Sequence, residues 1–210
     1  YIYNLRTKEK KFVKEQEVLD KNYSPKNYIT ERLECKSHDS RLIPLTITRH
    51  KDTKLDGTAN VLLYGYGSYG MSLSFGFSNT KLSLLNRNII WCDASVRGGR
   101  ERGQAYWDEG KMLNKKNTFE DYISAAKYLI EKKYTYKGGL VGYGGSAGGL
   151  LLGAVVNQAP ELFLGMLIQV GFLDSLSTNL DHSLPLTLGE LTEFADAKNN
   201  KEHFEYIRSY

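Results

Sequence analysis

Ser146 lies in the stretch GYGGSAGGLLLG, residues 142–153, with Gly144 two positions before it and Gly148 two positions after it. A serine in a G-x-S-x-G setting can attack a carbonyl carbon, because a sharp turn holds its hydroxyl clear of the backbone. Such a turn crowds a strand against a helix, so a Cβ at Gly144 or Gly148 would collide. The N–H of Ala147 would open the following helix, an unpaired donor suited to an oxyanion. Gly145 and Gly149 complete the glycine-rich elbow. The other reading is a serine in a flexible loop. The nucleophile is favoured by the apolar, strand-like run before the serine and the apolar, helix-like run after it.

A second stretch, YGYGSYG (residues 64–70), also ends an apolar run. In a doubly wound sheet the strand C-termini converge on one edge, where ligands bind. A tyrosine hydroxyl there could donate to an oxyanion. It could equally be a glycine-rich turn with packed aromatics, and the pattern alone leaves both open.

A serine nucleophile needs a general base, and the base needs an orienting carboxylate. The four histidines are His38, His50, His182 and His203. Two precede the serine, His182 lies in LDHSLPLT, and His203 lies on an amphipathic terminal helix. Surface or capping roles suffice for all of them.

The elements that must position these residues are legible in the pattern of apolar residues. YIYNL and KFVKEQEV are short strand candidates around the polar turn RTKEK, and TERLECKS and LIPLTITRH predict an antiparallel hairpin. Four apolar runs of strand length follow: NVLLYGYG, NIIWCDAS, GGLVGYGG and LGMLIQVGF. NTFEDYISAAKYLIEKK repeats apolar residues at helical spacing, with Asn117 or Thr118 as N-cap and Glu120 or Asp121 three residues on. AGGLLLGAVVNQAPELF reads as a buried helix ending near Pro160, and TLGELTEFADA and NKEHFEYIRSY as further helices. Apolar strands alternating with helices predict a parallel sheet covered on both faces.

The bulk composition excludes several classes. The 210 residues carry a net charge of +4, with basic residues interspersed among acidic ones, which argues against a nucleic-acid surface. No apolar stretch approaches the ~20 residues needed to span a bilayer. Cys35 and Cys92 sit in no metal or redox spacing, and with no signal peptide a reduced cytoplasm is the expected compartment.

LLYGYGSYGM, VRGGRERGQAYWDEGKMLNKKNTFEDYISAAKYLI, GGSAGGLLLGAVVNQAPELF and LPLTLGE together resemble the prolyl oligopeptidase family of serine peptidases, most nearly its oligopeptidase B (protease II) branch. The resemblance runs over almost the whole chain. It implies an α/β class: an incomplete α/β-hydrolase fold with a mostly parallel, doubly wound sheet, preceded by a β-propeller remnant. Residues 1–25 would be the last propeller hairpin and crossover, and 26–210 the N-terminal part of the peptidase domain.

By the same resemblance Ser146 is the nucleophile, and the Ala147 N–H and Tyr66 hydroxyl are the oxyanion donors. Glu190 of LPLTLGE is the carboxylate that recognises Lys or Arg beside the scissile bond. Three departures stand out. Thr192, followed by Glu193, occupies the second acidic specificity position. Ser74 and Gly76 replace an acidic pair found in some relatives, and Arg100 and Arg102 are bulky additions to the RGG segment.

In this fold the triad runs Ser, Asp, His. Only 39 residues follow Gly171, too few for two more strand–helix steps of ~30 residues. Neither Asp174, His182 nor His203 matches the family's acid or base. The expectation is therefore a serine oligopeptidase cleaving short peptides after Lys or Arg, inactive alone. A possible C-terminal companion segment would carry the Asp and His. No cofactor, metal, nucleic acid or membrane is expected to take part. An esterase or thioesterase on the same scaffold, and a non-catalytic fragment, are the rival readings.

Overall fold

A computed structural model of the chain describes residues 1–15 and 17–210. The first two strand candidates form only a minimal ribbon, in which β1 (Ile2–Tyr3) pairs antiparallel with β2 (Lys10–Lys11). Every residue of it is exposed, so it has no face to bury, and an isolated hairpin is marginal in water. The second hairpin forms over longer strands, β3 (Tyr28–Lys36) and β4 (Leu42–His50), paired antiparallel.

The four apolar runs become β5 (Val61–Tyr64), β6 (Ile90–Ala94), β7 (Leu140–Gly145) and β8 (Phe163–Gln169). Between and after them lie α1 (Asn79–Leu85), α2 (Gln104–Asp108), α3 (Lys116–Glu131), α4 (Ala147–Gln158), α5 (Ser175–Leu180), α6 (Thr187–Phe194) and α7 (Lys201–Ile207). One six-stranded sheet runs β3-β4-β6-β5-β7-β8. Pairing is antiparallel as far as β6 and parallel from β6 through β8, so the fold is α/β with a mostly parallel sheet.

The core lies where α3 and α4 cross the central strands. Phe119, Tyr122 and Leu129 of α3 and Leu151, Leu152 and Val155 of α4 are fully buried, in one cluster with Leu63, Cys92 and Leu140. The buried Tyr122 hydroxyl donates to the Leu63 carbonyl at 2.5 Å, so it is not left unpaired.

The sheet is not covered equally on its two faces. On the face that carries Asp93, α1 packs chiefly on β4 and β6, with Lys81 bonded to Asp93. Beyond it, Trp91, Tyr64 and Tyr143 stack across neighbouring strands and stay half-buried, and Leu167 of β8 is exposed. The expected full coverage of both faces therefore fails over β5, β7 and β8. Cross-strand aromatic packing takes its place.

The start of α3 also differs from expectation. The N-cap is Lys115, not Asn117 or Thr118, and the helix begins one residue earlier than the earlier of the two predicted caps. Both expected caps are used elsewhere. Asn117 donates to the Glu109 carbonyl, and Thr118 donates to the carbonyls of Arg97 and Gly110. Asp121 forms no capping box. It is fully buried and receives Arg97 in a bidentate pair at 2.9 and 2.6 Å, the Arg97 N–H at 2.9 Å and the Ser37 hydroxyl at 2.5 Å.

Candidate active site

Ser146 is the residue between β7 and α4, with φ +53° and ψ −121°. This is a strained setting for a residue with a Cβ, and it persists only where neighbours fix it. The Ser146 N–H donates to the Gln169 carbonyl at 3.0 Å, and its own carbonyl accepts from Gly149 at 2.8 Å and Phe172 at 2.9 Å. β8 and the segment after it thus hold the turn in place, and the side chain is left exposed.

The flanking glycines are where the chain crowds. A Cβ on Gly144 would lie 2.7 Å from the Gly148 carbonyl oxygen, and one on Gly148 would lie 2.8 Å from that of Gly65. The elbow therefore packs directly on the segment that carries Tyr66. Gly145 ends β7 beside Gln169, and Gly149 packs on Gly171. Ala147 is the first residue of α4, so its N–H has no carbonyl one turn back to bond to.

Tyr66 reaches the elbow because β5 pairs in register with β7, Tyr64 opposite Tyr143. Its hydroxyl is half-buried, and burial raises it above the usual tyrosine range. The nearby Ser146 side chain works against that rise, while the charges of Glu193 and Glu190 add to it. A phenol held in this way stays protonated at neutral pH and is a donor.

Glu190 sits half-buried on α6, and the Tyr69 hydroxyl donates to it at 3.1 Å. Three residues on, Glu193 turns inward and is buried. It accepts from the Trp107 indole at 2.8 Å and lies 3.7 Å from the Lys115 ammonium. Lys115 is itself fully buried, and donates to the Gly67 carbonyl at 2.6 Å and the Ser68 hydroxyl at 2.7 Å. One ammonium thus ties the loop after Tyr66 to the helix carrying Glu190. Nothing in the sequence around NKKNTF distinguishes Lys115 from a surface lysine, because its partners lie 48 positions before it and 78 after it.

The structure brings Ser146, Ala147 and Tyr66 together, and joins Glu190 to the same loop through Tyr69. Thr192 is exposed and Glu193 is already paired, so Glu190 is the carboxylate of α6 without a cationic partner among the described residues. None of the four histidines bonds to Ser146. His38 meets Ser37, His50 lies near Asp52, His182 lies 3.9 Å from Asp196, and His203 accepts from the Asp196 N–H. Asp174 caps α5, accepting from the Ser177 N–H.

Burial lowers Lys115 from 10.5 to about 8, against the opposing pull of Glu193. Between those values the unfolded chain binds a proton that the folded chain has released, so this group makes stability rise with pH. Urea unfolding should show about 2 kcal/mol more stability at pH 10 than at pH 8 from this site. A Lys115→Met, Glu193→Gln double variant should lack that increment. An identical pH slope in the two proteins would show that Lys115 stays charged throughout.

The prolyl oligopeptidase family matches residues 75–210. Over its whole length the chain is 42% identical to dipeptidyl aminopeptidase BI of Pseudoxanthomonas mexicana, of which it covers 29%. Over 99% of its length it is 40% identical to protease 2 of Moraxella lacunata, covering 30% of that protein. The solved structure of oligopeptidase B from Leishmania major superposes on 90% of this chain with a TM-score of 0.87 and 41% identity, and 26% of that structure is covered. Oligopeptidase B from Trypanosoma brucei with covalently bound antipain gives 0.87 and 37% over 90% of this chain and 27% of its own. The chain thus spans under a third of the length of these relatives.

Proposed function

This chain belongs to the prolyl oligopeptidase family of serine peptidases, and from that premise we propose that it supplies the nucleophile, the oxyanion site and the specificity carboxylate of a peptidase that cleaves short peptides after Lys or Arg. The observation that carries this is Ser146 at φ +53° on the β7–α4 turn, with Tyr66 packed on Gly148 of the same elbow.

Ser146 Oγ attacks the carbonyl carbon of the scissile bond and gives its proton to a base. The oxyanion accepts from the Tyr66 hydroxyl and the Ala147 N–H, donors already in place before charge develops. The C–N bond then breaks, the amine leaves with the proton, and water hydrolyses the acyl-enzyme. Glu190 pairs with the cationic side chain beside that bond, held in position by Tyr69. The base and its carboxylate come from a companion segment carrying His and Asp, because no histidine among the described residues bonds to Ser146. The buried free thiols of Cys35 and Cys92 suit a reducing compartment such as the cytoplasm.

The test is turnover of blocked arginyl and lysyl arylamides by residues 1–210 combined with such a companion. Tyr66→Phe should lower kcat about 10²-fold by removing one oxyanion donor. Glu190→Gln should raise KM for the basic substrates and leave a neutral one unchanged. Preference for a neutral aryl ester over the arginyl peptide would instead support the esterase reading.

A further inference from the structure

Arg100 and Arg102, the bulky additions to the RGG segment, line a groove of about 900 Å3 that also takes in Ser72, two residues past Gly70 of the Tyr66 loop. Arg32 of β3 lines the same groove. Leu33, Pro44, Leu73 and Phe75 give the groove an apolar lining.

Three arginines outnumber its two acidic residues, of which Glu101 keeps one carboxylate oxygen without a partner among the described residues. Glu34 is paired with Arg102, and Glu101 accepts the Leu73 N–H. Arg32 and Arg100 have no carboxylate partner among the described residues. Each is laid against an aromatic ring instead, Arg32 over Phe75 at 5.2 Å and Arg100 over Trp107 at 4.6 Å. A guanidinium held over a ring keeps N–H donors that can bind a carboxylate through two parallel hydrogen bonds. Ser74 and Gly76 put no negative charge on the segment that borders the groove.

We propose that this groove binds an acidic side chain of the peptide substrate, so that the preferred peptide carries a carboxylate near its basic residue. The role as a substrate subsite rests on the peptidase reading above; the binding chemistry does not. Trp107 and Trp91 are the two tryptophans of the chain, so the Trp107 indole N–H can be followed alone in a 15N-labelled sample.

Residues 1–210 are titrated with acetyl-Glu-Ala-Arg-amide and with the same peptide carrying Gln for Glu. The acidic peptide should bind about fivefold more tightly, the scale of two exposed ion pairs, and the ratio should shrink as salt is raised. Arg32→Gln with Arg100→Gln should bring the ratio to one. Equal affinities for the two peptides, or no shift of the indole signal with either, would overturn the proposal. Glu190→Gln, and citrulline for Arg in the peptide, test the peptidase reading separately. They should weaken both peptides equally and leave the Glu-to-Gln ratio intact.

Discussion

Ser146 in residues 1–210 alone should react with a fluorophosphonate at least about 10³-fold more slowly than in the same chain supplied with a companion carrying Asp and His. A serine hydroxyl is a poor nucleophile until a base takes its proton, and the proposed oxyanion site does not replace that base. The components this chain does hold are pre-set: the strained Ser146 backbone, the Ala147 N–H at the start of α4, and the protonated Tyr66 hydroxyl. What no described residue supplies is an imidazole on Ser146. His182 and His203 both lie against Asp196 instead. The slow residual labelling should fall further in Tyr66→Phe, because the oxyanion donors still act on the phosphonyl oxygen. Labelling of residues 1–210 alone at the complemented rate would refute the absence of a base. A Ser146→Ala control that still labels would move the nucleophile elsewhere.

The elements that carry local signals were readable before the structure. The β3–β4 hairpin alternates apolar and polar residues, α3 repeats apolar residues at helical spacing, α4 is an apolar run bounded by Pro160, and the elbow shows as glycines around Ser146 between a strand-like and a helix-like run. The chain could not announce pairings between residues far apart in sequence. Lys115 and Glu193, Tyr69 and Glu190, and Arg97 and Asp121 are ordinary polar residues until the fold removes their water. Thr118 and Asn117 carry good capping chemistry, yet loop carbonyls brought in by tertiary packing claim their side chains. Arg100 and Arg102 were conspicuous in sequence and uninterpretable there, since one stacks on Trp107 and the other pairs with Glu34, 68 positions away.

Arg97→Ala should cost about 3–5 kcal/mol of stability, enough to unfold a large share of the chain in mild urea. The Arg97 side chain is 1% exposed and reaches three elements, donating to Asp121 on α3, to Asp39 on the β3–β4 turn and to the Ser37 hydroxyl at the end of β3. Removing the guanidinium leaves Asp121 buried with a charge that only the Ser37 hydroxyl and one N–H can satisfy. Replacing both partners, as Arg97→Met with Asp121→Leu, should cost much less than either Arg97→Ala or Asp121→Ala, since no charge is then stranded. The site should weaken along with the fold. Gly98, next in the chain, accepts the Gly70 N–H at 2.9 Å, and Gly70 ends the loop that presents Tyr66. In urea low enough to keep Arg97→Ala folded, its fluorophosphonate labelling in the complemented protein should therefore still be slower than wild type. A loss below about 1 kcal/mol, the scale of an exposed pair, would mean that Asp121 is relieved by water and that Arg97 does not hold the site.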